Sequence, residues 1–210
     1  MFAKRAYTVV VFTGIISQIV TVLRHTTVEN GLVLTFSRPR EWNDLVLGES
    51  IASNGACLSV SEIRPNEYDC YLMGETLGKT TFGKSLPKRV NLERAMGVSD
   101  RFGGHFVTGH VDGIGTVVAI DKAAGWDMRI KFSHEFAGLV ILKGSICIDG
   151  VSLTVSEVAG DTLGVSLIPH TLANTTLGEL KLGDSVNLEF DMIGKYIANI
   201  MEARQDHANV

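Results

Sequence analysis

Two copies of one sequence pattern follow each other along the chain, and this duplication restricts what the chain can fold into. Residues 50–62 return 95 positions later as residues 145–157, with apolar, hydroxyl and turn-forming side chains in the same order. Further pairs are 13–22 with 108–117, 72–83 with 167–178 and, with one extra residue, 90–93 with 186–189. A unit of this length can bury its own core, unlike solenoid repeats of roughly 20–50 residues. The 210 residues therefore predict two homologous domains with two related binding sites.

Short strands dominate both copies. Apolar and hydroxyl side chains alternate in residues 57–63 and again in 152–158, as in strands with one buried face. Asn54-Gly55 and Asp149-Gly150 are typical of tight turns between such strands. The pattern predicts a small closed β-barrel in each copy. Short helical segments are expected around residues 41–47 and 134–142.

The end of the chain has a different pattern, with no counterpart in the first copy. Ile193, Ile197, Ile200 and Met201 are spaced as an apolar stripe on an amphipathic helix. Such a helix can pack on its own barrel, between the barrels or on another subunit. We favour a contact between subunits.

Charge and cysteine content exclude some functions. A net charge of −4 gives no electrostatic reason to expect nucleic acid or an anionic membrane as partner. The three cysteines, Cys57, Cys70 and Cys147, lack CxxC spacing. This argues against a disulfide framework and predicts a reducing, cytoplasmic location.

The N-terminus resembles a signal peptide at first sight, because Lys4 and Arg5 precede an apolar stretch that runs to Leu23. Polar residues interrupt this stretch, however, and its pattern recurs in mid-chain at residues 106–117. We therefore predict a strand there. No apolar run reaches the ~18 residues that a membrane span requires.

Two histidines near the start of the second copy, His105 and His110, are candidate metal ligands. Residues five apart in a strand point to opposite faces, so the two imidazoles would diverge. No further Cys or His has zinc-site spacing. We predict no metal site.

The differences between the copies bear on chemistry. Cys57 corresponds to Ser152, and Glu75 corresponds to His170. One site thus has a thiol and a carboxylate where the other has a hydroxyl and an imidazole. This asymmetry suits a reaction between two similar ligands in unlike roles, although divergence of a duplicated gene alone would also produce it.

Several motifs, in order and over nearly the whole chain, resemble those of the alpha-type riboflavin synthases, which carry lumazine-binding repeats. They are Phe12-Thr13-Gly14-Ile15, Gly55-Ala56-Cys57-Leu58-Ser59-Val60, Glu75-Thr76-Leu77, Gly103-Gly104-His105, Gly109-His110, Asp149-Gly150-Val151-Ser152-Leu153-Thr154-Val155 and Ile168-Pro169-His170-Thr171-Leu172. The resemblance implies an all-β fold of two tandem six-stranded Greek-key barrels with a C-terminal helix. The expected boundaries are 1–104, 105–192 and 193–210, the last segment serving trimerisation.

The resemblance also implies a reaction. Two molecules of 6,7-dimethyl-8-ribityllumazine dismutate to riboflavin and 5-amino-6-(ribitylamino)uracil, the last step of riboflavin biosynthesis, without a cofactor. The implied site lies between the first barrel of one subunit and the second barrel of its neighbour in a homotrimer. Association with lumazine synthase is a further implied partnership.

Site residues are carried over by analogy. The first-barrel site would be lined by Gly14, Ile15, Ile16, Cys57, Leu58 and Ser59, with Tyr71, Leu72, Met73, Gly74, Glu75 and Thr76 beside them. The second would be lined by Gly109, His110, Val111, Lys143, Ser152, Leu153, Thr154, Ser166, Leu167, Ile168, Pro169, His170 and Thr171. For the chemistry we expect Ser152 and Asp191, supported by Ser50, Cys57 and His110.

Two of these residues have alternative explanations. Asp191 follows the strand at residues 186–190, so it could equally be the N-cap of the terminal helix. Cys57 could be an ordinary buried thiol. To act as a nucleophile, it would need a lowered pKa.

The chain departs from the family pattern at its start and in one motif. The family begins at Met-Phe-Thr-Gly, whereas residues 1–11 precede Phe12 here. Either translation begins later, or this extension leaves the mouth of the site clear. The family's Cys-Leu-Thr is Cys57-Leu58-Ser59, which keeps the hydroxyl.

Two other functions compete with the enzyme. A non-catalytic lumazine or flavin carrier shares the architecture but lacks the cysteine that Cys57 supplies here. A flavin-binding barrel of the ferredoxin-reductase type would need a nicotinamide-binding domain, and no glycine-rich βαβ unit follows.

Overall fold

Two closed antiparallel barrels of six strands each form most of the computed structural model, which describes residues 11–123 and 125–208. The first contains β1 (Gln18–Val28), β2 (Gly31–Ser37), β3 (Ser50–Ser53), β4 (Ala56–Ile63), β5 (Glu67–Met73) and β6 (Arg89–Arg94). The second contains β7 (Gly113–Asp121), β8 (Asp127–Lys131), β9 (Ser145–Ile148), β10 (Val151–Ala159), β11 (Thr162–Ser166) and β12 (Ser185–Phe190). The neighbour order β1-β2-β5-β4-β3-β6 recurs as β7-β8-β11-β10-β9-β12. The predicted fold class is confirmed.

Helices are few and lie at equivalent places. A six-residue helix follows β5 (α1, Gly74–Lys79) and another follows β11 (α2, Pro169–Asn174). Each leads into a 3₁₀ turn, Thr81–Gly83 or Thr176–Glu179. The terminal helix α3 spans Met192–Ala208. No helix within the described part of the chain is long and apolar enough to cross a membrane.

Three local predictions need correction. Residues 41–47 form turns rather than a helix, whereas the short helical segment expected at 134–142 is present as a 3₁₀ helix, His134–Leu139. The N-terminal strand begins only at Gln18, and residues 9 and 10, at the start of the predicted strand, lie outside the described residues. The segment with His105 and His110 is not a strand; it forms one isolated bridge, Val107 with Phe12.

Each barrel has its own apolar core, as the repeat length predicts. Ile51, Leu58 and Leu92 are at most 2% exposed in the first core, and Ile130 and Ile148 are fully buried in the second. A third cluster, which we call the central cluster, consists of Phe12, Ala52, Val107 and Cys147. It draws residues from both halves and therefore holds them together.

The barrels meet at the two turns that the sequence identifies. Asn54 and Gly55 have φ of 43° and 78°, and Asp149 and Gly150 have φ of 46° and 82°. Both turns thus have two residues in the left-handed region, which suits Asn-Gly and Asp-Gly hairpins. A Cβ on Gly55 would lie 2.8 Å from the Gly150 nitrogen, so only glycine permits this approach.

Two buried asparagines fasten these turns to each other. Asn91 donates from Nδ2 to the Asp149 carbonyl at 2.9 Å, and Asn187 donates to the Asn54 carbonyl at 2.8 Å. The Asn91 and Asn187 backbone N–H groups donate to the Asn54 and Asp149 side chains, both at 2.8 Å. The bonds repeat in both directions, so an approximate twofold axis relates the barrels.

One pair breaks this symmetry, because the amide of Asn54 corresponds to the carboxyl of Asp149. Burial raises the pKa of Asp149 to about 7, against an ordinary value of 3.8, and the hydrogen bond from Asn187 only partly opposes this. The native protein therefore binds this proton more tightly than the unfolded chain does. The stabilisation that protonation provides is complete below about pH 4 and is lost as pH rises through about 7.

We expect Asp149→Asn to stabilise the protein in alkaline solution. At about pH 8.5 the free energy of unfolding should rise by at most about 4 kcal/mol, since one pKa unit corresponds to about 1.4 kcal/mol. The gain should shrink as pH falls below about 7 and vanish near pH 4. Urea denaturation at both pH values measures it. The matched variant Asn54→Asp should show the opposite pH dependence, and a gain independent of pH would contradict the assignment.

Candidate active site

Two loops that contain a Thr-Gly pair lead into the barrels, and each is held by a buried glutamate. Glu93 on β6 accepts hydrogen bonds from the Thr13 nitrogen (2.7 Å), the Thr13 hydroxyl (2.8 Å) and the Gly14 nitrogen (2.8 Å). Glu189 on β12 accepts from the same three groups of Thr108 and Gly109, at 2.7, 2.7 and 2.9 Å. We call these two arrangements the carboxylate clamps.

Each clamped loop lies against the other barrel. The Gly109 carbonyl accepts from the Cys57 nitrogen at 2.8 Å, and the Gly14 carbonyl accepts from the Ser152 nitrogen at 2.8 Å. Cβ atoms on Gly109 and Gly14 would lie 2.5 and 2.6 Å from the Cβ atoms of Cys57 and Ser152. Both glycines have φ of 77°, so closeness and conformation each require glycine.

This crossing changes which loop belongs to which site. We expected residues 14–16 at the first-barrel site and residues 109–111 at the second. The structure instead places Gly14 on Ser152 and packs Ile16 against the second core, whereas Val111 packs against the first core. The two loops exchange sites because the docked barrels place each loop against the opposite barrel.

The first-barrel site is an open cleft of about 410 Å³, within the range of small-molecule pockets. Cys57, Glu75, Thr76, His110 and Val111 line it. His110, expected at the second site, thus lies at the first.

The Cys57 thiol is not activated in this cleft. Burial raises its pKa above the ordinary value, the charge of Glu189 raises it further, and a hydrogen bond with Ser50 opposes these effects. A neutral thiol donates a weak hydrogen bond and is a poor nucleophile. The structure therefore lacks the lowered pKa that covalent attack by Cys57 would require.

The second-barrel site is centred on a serine and a histidine. Ser152 Oγ and His105 Nδ1 lie 2.7 Å apart, and His105 is only 8% exposed. Its Nε2 has no hydrogen-bond partner among the described residues. Burial lowers the pKa of His105 below its ordinary 6.5, and the charge of Asp191 partly opposes this. The imidazole is therefore neutral near pH 7.

Asp191 combines both explanations that the sequence left open. Its carboxylate accepts from the Ile193 nitrogen at 3.0 Å, as an N-cap of α3 does. It also raises the pKa of His105 through its charge. Capping and an electrostatic effect on the site thus coexist in one side chain.

The remaining expected residues fall into three groups. The side chains of Leu58, Leu72 and Leu167 are buried in the barrel cores, and Leu153 is half-buried against the second. The exposed or half-exposed ones are Ser50, Ser59, Tyr71, Met73, Gly74, Ile15, Lys143, Thr154, Ile168, Pro169 and Thr171. Ser166 donates to Asp127 at 2.5 Å, and the His170 carbonyl accepts from Asn174 at 2.8 Å.

Three residues of the site were missed as functional candidates. The sequence indicated His105 only as a candidate metal ligand and as part of a family motif. The two glycines before it, however, are a sign that the backbone is crowded there. A Cβ on Gly104 would lie 2.0 Å from the Thr13 carbonyl oxygen and 3.0 Å from Ser152 Oγ. Glu93 and Glu189 ended a matched repeat segment, yet nothing in the sequence indicated what they would bind.

Comparison with known proteins finds the same duplication. The lumazine-binding domain family matches twice, at residues 13–95 and 108–191. The riboflavin synthase of Actinobacillus pleuropneumoniae is 42% identical, over 90% of this chain and 89% of that protein. That of Bacillus subtilis (strain 168) is 40% identical, over 93% and 92%.

Solved structures show the same fold. LumP in complex with riboflavin has a TM-score of 0.78 at 23% identity and covers 85% of this chain and 98% of LumP. LumP in complex with 6,7-dimethyl-8-(1'-D-ribityl) lumazine has a TM-score of 0.76 at 22% identity, with the same coverage. Two matched repeats, and curated relatives over nearly the full length, lead to one conclusion: the chain belongs to the riboflavin synthase family of lumazine-binding proteins.

Proposed function

We propose that this riboflavin synthase forms its product between the first barrel of one subunit and the second barrel of another. The chain is a transferase: it moves a four-carbon unit between two molecules of 6,7-dimethyl-8-ribityllumazine, giving riboflavin and 5-amino-6-(ribitylamino)uracil. The observation that carries the site proposal is the pair of unlike centres, Cys57 in one barrel and Ser152 with His105 in the other.

The packing between these centres supports a site shared by two subunits. Cys57 packs against the central cluster, and Ser152 pairs across the strands with Cys147, a member of that cluster. Each of the four members is at most 2% exposed. This buried apolar cluster lies between the two centres of one chain, which supports stacking of the two ring systems across a subunit boundary instead.

The terminal helix supports assembly into the expected homotrimer. Ile193, Ile197, Ile200 and Met201 are 50–57% exposed in the single chain. A stripe of this size normally becomes buried in a subunit contact. Lys195 anchors the helix to its own barrel through Asp112 at 2.6 Å, which leaves the apolar side free.

The reaction itself places modest demands on the protein. The lumazine ring system is an electron sink, so its C7 methyl group can lose a proton to a general base. Holding two flat rings in contact replaces a bimolecular encounter by a local one, with effective molarities that reach about 10⁵ M. Binding geometry and one proton acceptor therefore account for catalysis without a cofactor.

We assign the proton acceptor to the second barrel. Neutral His105 accepts from the Ser152 hydroxyl, so Ser152 can take a proton from the substrate as it passes its own to the imidazole. Asp191 stabilises the imidazolium that results. In the first barrel Cys57, Ser50 and His110 position the other lumazine. Association with lumazine synthase, a cytoplasmic location and boundaries at residues 104 and 192 stay predictions.

Ser152→Ala and His105→Gln should each lower kcat by about 10²-fold or more, as expected when a positioned proton acceptor is lost. The measurement is formation of flavin fluorescence from 6,7-dimethyl-8-ribityllumazine. In the parent, kcat should stay level above the usual histidine pKa of 6.5 and fall at lower pH, because protonated His105 cannot accept. Tight lumazine binding without turnover by the parent would instead identify a carrier.

Asp191→Asn separates the cap from the charge. Asn caps helices as well as Asp does, so stability should be kept, whereas Asp191→Ala should cost about 1 kcal/mol. Both variants should move the acidic limb of the kcat profile to lower pH, because the charge that raises the pKa of His105 is gone. An unchanged pH profile of kcat in Asp191→Asn would mean that Asp191 only caps the helix.

Mixed oligomers test whether the site is shared. Thr76→Trp should fill the first-barrel cleft, and Ser152→Ala disables the second barrel. Equal amounts of the two inactive variants, unfolded and refolded together, should recover about a quarter of parental activity, because random assembly pairs intact halves at that frequency. No recovery, with both variants folded and assembled, would place the reaction within one chain.

A further inference from the structure

We propose that the two buried glutamates are crossed positioning residues: Glu93 of the first barrel holds the second-barrel site in place, and Glu189 of the second holds the first-barrel site. The inference rests on the proposed function only in taking Cys57 and Ser152 as the centres of the two sites. Neither glutamate reaches its target directly; each acts through the glycine loop that it clamps.

The path from Glu93 leads to both members of the second-barrel pair. Its carboxylate fixes Thr13 and Gly14 through three hydrogen bonds of 2.7–2.8 Å. The Thr13 carbonyl then accepts from the His105 backbone nitrogen at 3.1 Å, and the Gly14 carbonyl accepts from the Ser152 backbone nitrogen at 2.8 Å. One carboxylate thereby fixes the backbone of both residues whose side chains lie 2.7 Å apart.

The path from Glu189 leads to the thiol of the first barrel. Its carboxylate fixes Thr108 and Gly109, and the Gly109 carbonyl accepts from the Cys57 nitrogen at 2.8 Å. Gly109 covers Cys57 so closely that an added Cβ would lie 2.5 Å from the cysteine Cβ. His110, the next residue, lines the same cleft. Releasing the clamp should therefore uncover Cys57.

The two carboxylate clamps are not equivalent, because the residues that they hold differ. Glu93 acts on the Ser152–His105 pair, whereas Glu189 acts on Cys57. Both carboxylates are nearly buried, with Glu93 8% and Glu189 3% exposed, and both accept the same three donors. Loss of either should cost comparable stability, yet the crossed paths predict damage at different places. This contrast allows each variant to serve as the control of the other.

The alkylation rate of Cys57 reports on the first-barrel site. Cys70 and Cys147 are buried, so Cys57 is the accessible cysteine for iodoacetamide. Glu189→Gln should raise its alkylation rate by about tenfold, the scale expected for hydrogen bonds to a charged group. Glu93→Gln should leave the rate within about twofold of the parent, although it removes an equally buried carboxylate.

Removing the charge of Glu189 would also change thiolate formation, so a variant that keeps the charge is needed. Thr108→Val deletes only the hydroxyl that donates to Glu189 at 2.7 Å. It should raise the Cys57 alkylation rate by about threefold without moving its pH midpoint. Thr13→Val, the equivalent change in the other clamp, should not affect it. These milder variants also keep the test valid if a glutamine variant fails to fold.

The ring-nitrogen NMR signals of His105 report on the second-barrel site. The His105 signals are assigned by their loss in His105→Gln, and the 2.7 Å bond to Ser152 sets their positions. Glu93→Gln and Thr13→Val should shift them, and Glu189→Gln and Thr108→Val should not. Neither readout requires turnover, so failure here is distinguishable from failure of the proposed function. Effects confined to each glutamate's own barrel, equal effects at both sites, or no effect would overturn the crossed assignment.

Discussion

The contact between two left-handed turns is the constraint on which the rest of the structure depends. Asn54-Gly55 and Asp149-Gly150 approach so closely that neither glycine tolerates a Cβ. Once these turns touch, Asn91 and Asn187 can each reach across to the opposite carbonyl, and the central cluster closes behind them. The same docking brings each glycine loop onto the other barrel. The positions of both sites thus follow from one contact at the twofold axis.

The sequence predicted the parts that local patterns encode and missed those that depend on docking. The repeat offset, alternating strands and turn dipeptides led to two barrels and a terminal helix, because strand periodicity and turn chemistry are local. The crossed loops were not predictable, since nothing in residues 13–16 indicates which barrel they will touch. His105 was overlooked for the same reason: its partner, Ser152, lies 47 residues away and on another element.

A symmetric frame with unlike chemistry suits a dismutation. Glu93 and Glu189 hold equivalent loops with nearly equal distances, so the two lumazine sites present similar backbones. At the matched positions, however, a thiol whose pKa is raised corresponds to a hydroxyl beside a neutral imidazole. In the proposed function, similar backbones allow the same substrate to bind twice, and the differing side chains allow only one bound molecule to lose its proton. Duplication followed by divergence at a few positions supplies both requirements.

The packing between the barrels that positions Cys57 and Ser152 also keeps these two centres apart. Within one chain the asparagine bonds and the buried apolar residues of the central cluster hold Cys57 and Ser152 apart. In the proposed function, ring-on-ring contact therefore comes from a second copy that brings its opposite barrel, and not from bending one subunit. An exposed apolar stripe on α3 gives the chain a means to recruit that copy. We therefore propose that oligomerisation completes the active site, because the packed core between the barrels holds the two centres of one chain apart.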